Sequence, residues 1–151
     1  MSDLPLTEAV KAAMKAAMKA RDKERLGTIR LIQSEFKRIE VDERIELDDA
    51  RVLVVLDKMI KQRRDSAQQY RAAGREELAV QEDSEIAVIQ EFLPAQLSDT
   101  ELEGMVDAAV AAAEGSGMQA MGAVMAALKP KLQGRADIGA VSKLVKARLS
   151  A

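Results

Sequence analysis

The 151-residue sequence contains no cysteine, histidine or tryptophan, one tyrosine, two phenylalanines and three prolines. Without cysteine there is no disulfide and no thiolate nucleophile, and without histidine the chain lacks the side chain that titrates near neutral pH and most often binds metals. Few aromatic residues are available to fill a pleated sheet. These absences argue against a strand-rich fold, a soft-metal site and the usual nucleophilic triads.

Long apolar runs are absent too, since no stretch reaches the roughly 18 to 20 residues of a membrane-spanning helix. The first residues also lack the uncharged core of a signal peptide, so we expect a cytoplasmic protein. The net charge of −2 means that binding to a polyanion must come from local patches. Such a patch is indicated within residues 129–148, which hold six bases and one acid.

The abundant residues are helix formers, chiefly alanine, leucine, lysine, arginine, glutamate and methionine. Apolar residues recur every three to four positions, a spacing typical of amphipathic helices. The predicted fold class is therefore all-α, with seven helices. They are expected over about 5–20, 23–40, 48–74, 76–93, 98–115, 118–129 and 137–149.

Helix signals are strongest in the last third of the chain. Ser98 and Glu101 have the spacing of a capping box at the start of the fifth helix, and Asp137 is predicted to cap the seventh. Pro130 and Gly134 are expected to end the sixth helix.

The segment "FLPAQLSD" is the predicted domain boundary. It divides an N-terminal four-helix domain, residues 1–94, from a small C-terminal three-helix domain, residues 95–151.

No catalytic centre is predicted. Glycine-rich nucleotide loops are missing, and the serines lie on or beside helices without the strained turn of a nucleophile. The acids of "EDSE", Glu82, Asp83 and Glu85, are either a weak Mg²⁺ site or a solvated helix face. We expect no catalytic residue, no cofactor and no metal site.

One basic group lies late in the third helix, where Arg64, Arg71 and Arg75 surround Tyr70. Arginine can bind phosphates and tyrosine can stack on a base, so this group is a candidate RNA contact. The alternative is a solvated face with pairs along the helix, such as Lys61 with Asp65, and a half-buried tyrosine.

A second basic group lies in and after "LKPKLQGRADIG". Cations in the last turn of a helix stabilise it through the helix dipole, and this accounts for part of the group. Those in the connector instead lie near the backbone amides that begin the seventh helix, a geometry suited to phosphate. The candidate RNA-binding residues here are Lys129, Lys131, Arg135, Lys143 and Lys146, with Arg148 nearby.

Three stretches, "KQRRDSAQQYRAAGREELAVQEDSEIAVIQEFLPAQLS", "MGAVMAALKPKLQGRAD" and "VSKLVKARL", resemble the YqeY family of small bacterial cytoplasmic proteins. The C-terminal part of that family is similar to the tail of the B subunit of aspartyl/glutamyl-tRNA amidotransferase. The resemblance implies an all-helical fold and a C-terminal unit that faces tRNA. The motif positions in this sequence are Gly122, Lys129, Pro130, Lys131, Gly134, Arg135, Ala136, Asp137 and Lys146.

The resemblance also associates this chain with carbon–nitrogen ligases that use glutamine as the amide donor. The parts of the amidotransferase that perform this chemistry are, however, missing from this sequence. One position departs from the family, which often reads "MGKVM", because Ala123 replaces the lysine. Three functions stay open: a tRNA-binding module, a protein-interaction adaptor in translation or transcription, and an accessory amidotransferase component. The adaptor would use the acidic fifth helix and exposed methionines of the sixth; the alternative is that these methionines fill the core.

Overall fold

The computed structural model describes residues 4–150; residues 1–3 and 151, at the outer ends of the predicted domains, lie outside this range. Within it the fold is all-α, as predicted, and no strand is formed. None of the described helices is long and apolar enough to cross a membrane. The helices are α1 (Leu6–Ala20), α2 (Lys23–Glu43), α3 (Asp49–Ala72), α4 (Glu76–Gln90), α5 (Asp99–Ala112), α6 (Met121–Leu132) and α7 (Ile138–Ser150), with a 3₁₀ turn (Gly117–Ala120) before α6.

The helices form two compact units, one ending at Leu93 and the other beginning at Pro94. Each unit has its own apolar core. Helices α1 to α4 bury residues that include Val10, Ile29, Ile32, Leu56 and Ile89. Helices α5 to α7 bury Val106, Val124, Leu128, Leu132, Val141 and Val145. That each unit folds independently, as domains 1–94 and 95–151, stays a prediction.

The predicted caps are confirmed. The Ser98 hydroxyl accepts a hydrogen bond from the Glu101 amide at 3.1 Å, and the Glu101 carboxylate accepts one from the Ser98 amide at 3.2 Å. The hydrogen bonds with Ser98 lower the pKa of Glu101, because they favour its charged form. Asp137 likewise accepts a hydrogen bond from the Gly139 amide at 3.0 Å and so begins α7.

Two predicted helix ends are wrong. Helix α4 ends at Gln90 rather than Leu93, since the next three amides bond to carbonyls three residues back and the chain tightens before Pro94. Pro130 does not end α6, which continues to Leu132. Proline costs this helix one amide hydrogen bond, and the complete burial of Leu132 holds the final turn in place. Gly134, with φ +79°, then lies in the left-handed conformation expected after a helix.

Met118, one of the methionines for which the sequence left both exposure and burial open, has a side chain that is 46% exposed. Residues 117–120 form the 3₁₀ turn rather than the start of the sixth helix, which changes the direction in which each side chain points. Ala120 and Val124 fill the core in its place.

Candidate nucleic-acid interface

The C-terminal basic patch consists of Lys129 and Lys131 in the last turn of α6 and Lys143 and Lys146 on α7. All four side chains are exposed. Among residues 4–150, none of them has a hydrogen bond or ion pair. We call these four residues the lysine patch; their charges are available to a ligand without first breaking an internal contact.

Arg135 lies in the connector between α6 and α7 and is partly committed to the fold. Its carbonyl accepts a hydrogen bond from the Leu97 amide at 3.0 Å, and its Nε donates to the Ala95 carbonyl at 3.4 Å. Nearby, the Gln96 side chain donates to the Gly134 carbonyl at 2.7 Å. Arg135 therefore ties residues 95–97 to the connector, and the two Nη atoms of its guanidinium are the part left for a ligand.

The amides that begin α7 were expected to favour a phosphate, but Asp137 already bonds to the Gly139 amide. A capping carboxylate and a phosphate compete for the same donors. The lysine side chains, rather than the end of the helix, are therefore the groups suited to an anion. Gly122 and Pro130 are exposed on α6, and a Cβ added to Gly122 would meet nothing within 4 Å.

Arg148, near the end of α7, does not extend the patch. Its Nε donates to the Asp107 carboxylate of α5 at 2.8 Å, and this bond raises the pKa of the guanidinium. Its charge stabilises the contact between α5 and α7.

The basic group of α3 is divided by its ion pairs. Arg71 binds Glu76 at 3.2 Å and Asp83 at 2.5 Å, and hydrogen bonding, first with Asp83, raises its pKa. Arg75 binds Glu77 at 2.8 Å.

Arg64 is exposed without such a partner among the described residues, and Tyr70 is half-buried. The pair between Lys61 and Asp65 that belonged to the alternative is not formed among the described residues; Arg71 and Arg75 instead bind acids of α4.

Sequence reasoning missed a further set of exposed cations on α2. Lys23, Arg30 and Lys37 have no hydrogen bond or ion pair within residues 4–150. Their constant spacing of seven residues is visible in the sequence and was the signal that could have found them.

Comparison with known proteins identifies the family. The model of the Yqey-like protein family matches residues 7–149, nearly the whole chain. The protein belongs to the YqeY family. Among curated proteins, this YqeY chain is 33% identical over 99 residues to the uncharacterized protein C22F3.15 of Schizosaccharomyces pombe, covering 65% of this chain and 80% of that protein. The predicted resemblance is thus confirmed.

The second unit of this YqeY protein also has an apolar groove of about 660 Å³ between α5 and α6. Alanines form most of its walls, with Met105 on one side and Leu128 on the other. Glu114 and Lys131 add one charge of each sign. Ala123, the position that departs from the family pattern, is one of the alanines in the groove, so the departure makes the groove more apolar.

The acids of α4 are used in different ways. Glu85 lies 3.7 Å from Arg63, and Asp83 binds Arg71. Burial, followed by the nearby Glu85 carboxylate, raises the pKa of Glu82. No group of three or more acidic side chains in residues 4–150 is placed to hold a metal ion.

Proposed function

We propose that this YqeY protein is a non-catalytic RNA-binding module whose C-terminal unit holds tRNA, alone or in a tRNA–protein complex, for a partner such as an amidotransferase. The observation that carries the proposal is the lysine patch, with four exposed ammonium groups on neighbouring helices that have no partner within residues 4–150. Family membership supports it, because the resemblance of this family to the amidotransferase tail implies a C-terminal unit that faces tRNA.

The chemistry of the patch suits a phosphate backbone. Lysine offers three donors on a flexible stem and binds phosphate as a point charge. Such contacts release counterions and position a nucleic acid without reading its sequence. The acid closest in sequence, Asp137, is held at the start of α7 by its capping bond with the Gly139 amide. Arg135 and the unpaired Arg64 are further contacts in this proposal.

The test is binding of bulk tRNA across a range of salt concentrations. The patch variant changes Lys129, Lys131, Lys143 and Lys146 to glutamine. The matched control, which we call the paired-arginine control, changes Arg25, Arg38, Arg51 and Arg148 to glutamine, because each of these arginines already binds an acid.

If the lysine patch binds phosphates, its variant loses affinity and the slope of log affinity against log salt flattens. The slope changes by about 0.9 for each lost contact with duplex and about 0.7 with single strands. The control should keep a slope close to that of the wild type. Equal affinities and slopes for the patch variant and the wild type would refute the proposal.

A protein-interaction adaptor is the second candidate, and the groove between α5 and α6 favours it. An exposed apolar groove with a charge of each sign is suited to an amphipathic helix of a partner. The two helices involved are the acidic and methionine-rich helices that sequence reasoning had singled out.

A photo-crosslinking residue at Ala127, which lines the groove, tests the adaptor function against the same residue at the exposed Ala147 of α7. An adaptor predicts one nuclease-resistant protein adduct at Ala127 that is absent at Ala147. Identical adduct patterns at the two positions would exclude the groove as the docking surface.

A further inference from the structure

One side of α2 carries a straight row of exposed residues, which we call the α2 ridge. Lys23, Gly27, Arg30, Ser34 and Lys37 are spaced by three or four positions and therefore follow one line along the helix. All five are exposed. At 1.5 Å per residue the row is about 21 Å long, with a cation roughly every 10 Å.

The five residues of the α2 ridge include three cations and no acid. Its three cations are unpaired within the described chain. Two carboxylates at its side, Glu35 and Asp42, are both held by Arg38, at 2.5 and 3.3 Å. The ridge thus offers its charges without a competing internal partner.

Small residues separate the cations. A Cβ added to Gly27 would meet nothing within 4 Å, so packing inside the chain does not require glycine there. Glycine within a helix lowers helix stability relative to alanine, yet it leaves the backbone open to close approach. Ser34 adds a hydroxyl that can donate a hydrogen bond to a phosphate oxygen.

The residues on the opposite side of α2 indicate which polyanion the α2 ridge can bind. Ile29, Ile32 and Ile39 are buried there in the core. The exposed apolar residues of α2, Leu31 and Val41, lie ten positions apart and do not form the continuous apolar face that a helix inserts into a membrane. Phe36, the aromatic residue of this helix, is 5% exposed and cannot stack on a base. Proteins that bind single strands combine cations with stacking platforms, whereas duplex RNA is recognised through its backbone and shape.

We propose that the α2 ridge binds the sugar–phosphate backbone of a double-stranded RNA stem. This rests on the proposed function, because it adds to the lysine patch a second contact, on the first unit, for the stems of a tRNA. The contact is independent of sequence, since the cations and the hydroxyl address phosphates alone.

The experiment compares the full-length wild type with the ridge variant, in which Lys23, Arg30 and Lys37 are changed to glutamine. A fluorescent RNA duplex, an unstructured single strand of equal length and bulk tRNA are titrated between 50 and 200 mM salt. The variant with Arg25, Arg51 and Arg148 changed to glutamine controls for the same loss of charge, because each of these arginines already binds an acid.

The loss of three duplex contacts should flatten the slope of log affinity against log salt concentration by about 2.7. Over this salt range, the wild-type affinity for duplex should therefore fall about 40-fold more than that of the ridge variant. The charge control should follow the wild type, and the single strand should show a smaller difference. Chemical acetylation of lysines in the wild-type protein tests the same contact without a mutation. Bound duplex should slow the acetylation of Lys23 and Lys37.

Each other outcome has a distinct meaning. If the wild type binds tRNA but the ridge variant keeps its slope and the duplex leaves Lys23 and Lys37 reactive, the inference is overturned and the proposed function stands. If the wild type binds none of the RNAs, the proposed function fails and the ridge inference with it. If the ridge variant loses binding to phosphatidylserine vesicles while its RNA slope is unchanged, the ridge is a lipid contact and the inference is overturned.

Discussion

Replacing Leu132 with alanine tests whether the second unit is a separate domain. Leu132 is fully buried at the end of α6, and a buried leucine-to-alanine change costs about 2 to 5 kcal/mol through lost contacts and a cavity. Native domains have about 0.05 to 0.15 kcal/mol of stability per residue, which gives the unit from Pro94 onward on the order of 3 to 9 kcal/mol. The substitution should therefore remove a large part of that unit's stability.

Hydrogen exchange followed by mass spectrometry separates the two units. A loss of about 2 to 5 kcal/mol accelerates exchange of the most protected amides by roughly 30-fold to several thousand-fold, at tenfold per 1.4 kcal/mol. This acceleration should appear in α5, α6 and α7, whereas α1 to α4 should exchange as in the wild type. The variant should also bind tRNA more weakly, because the lysine patch depends on α6 and α7.

The matched control is Leu56→Ala, which removes an equally buried leucine from the core of the first unit. It should accelerate exchange in α1 to α4 and leave α5 to α7 protected. If either substitution accelerated exchange to the same extent in both units, the chain would unfold as one cooperative body, and the division into domains 1–94 and 95–151 would be refuted.

Three further predictions concern single side chains. Ser98→Ala should lower the free energy of unfolding of the second unit by about 1 kcal/mol through loss of the α5 cap, measured by urea titration; an unchanged midpoint would contradict it. Because the pKa of Glu101 is lowered, its charged form contributes fully to the free energy of unfolding above the unfolded-state pKa of about 4.3, and this contribution is lost as the pH falls below that value. Glu101→Gln should therefore make the stability of the second unit fall less steeply with acid. Because the pKa of Glu82 is raised, its charged form destabilises the folded state at neutral pH. Glu82→Gln should therefore raise the thermal unfolding midpoint at pH 7 and change it little at pH 3. A rise at pH 3 with no change at pH 7 would refute this.

Features that depend on residues close in sequence could be predicted. The capping box from Ser98 to Glu101 spans four residues, and the stop near Gly134 depends on one left-handed residue. The end of α6 could not be predicted in the same way. Pro130 favours a stop locally, but burial of Leu132 in a core built from three helices outweighs that preference.

The state of each charged group could not be predicted either. Arg71 and Arg64 look equivalent in the sequence, yet Arg71 reaches Asp83, 12 residues away, whereas Arg64 is unpaired among the described residues. Such pairings depend on how α3 packs against α4. The unpaired cations of α2 were detectable from their spacing, but the sequence did not show that the acids beside them are engaged by Arg38.

The difference between paired and unpaired cations decides how strongly RNA binding should depend on salt. An RNA phosphate that takes Arg71 must displace Asp83 and Glu76, and the released carboxylates then repel the same phosphate. Paired arginines therefore add little to the net count of phosphate contacts. If the lysine patch and Arg135 alone engage duplex, the five contacts give a slope of about −4.5. If Arg64 and the three cations of the α2 ridge join them, the nine contacts give about −8.1. A single salt titration of the wild-type protein with duplex RNA thus distinguishes a C-terminal module acting alone from a chain that uses both of its units.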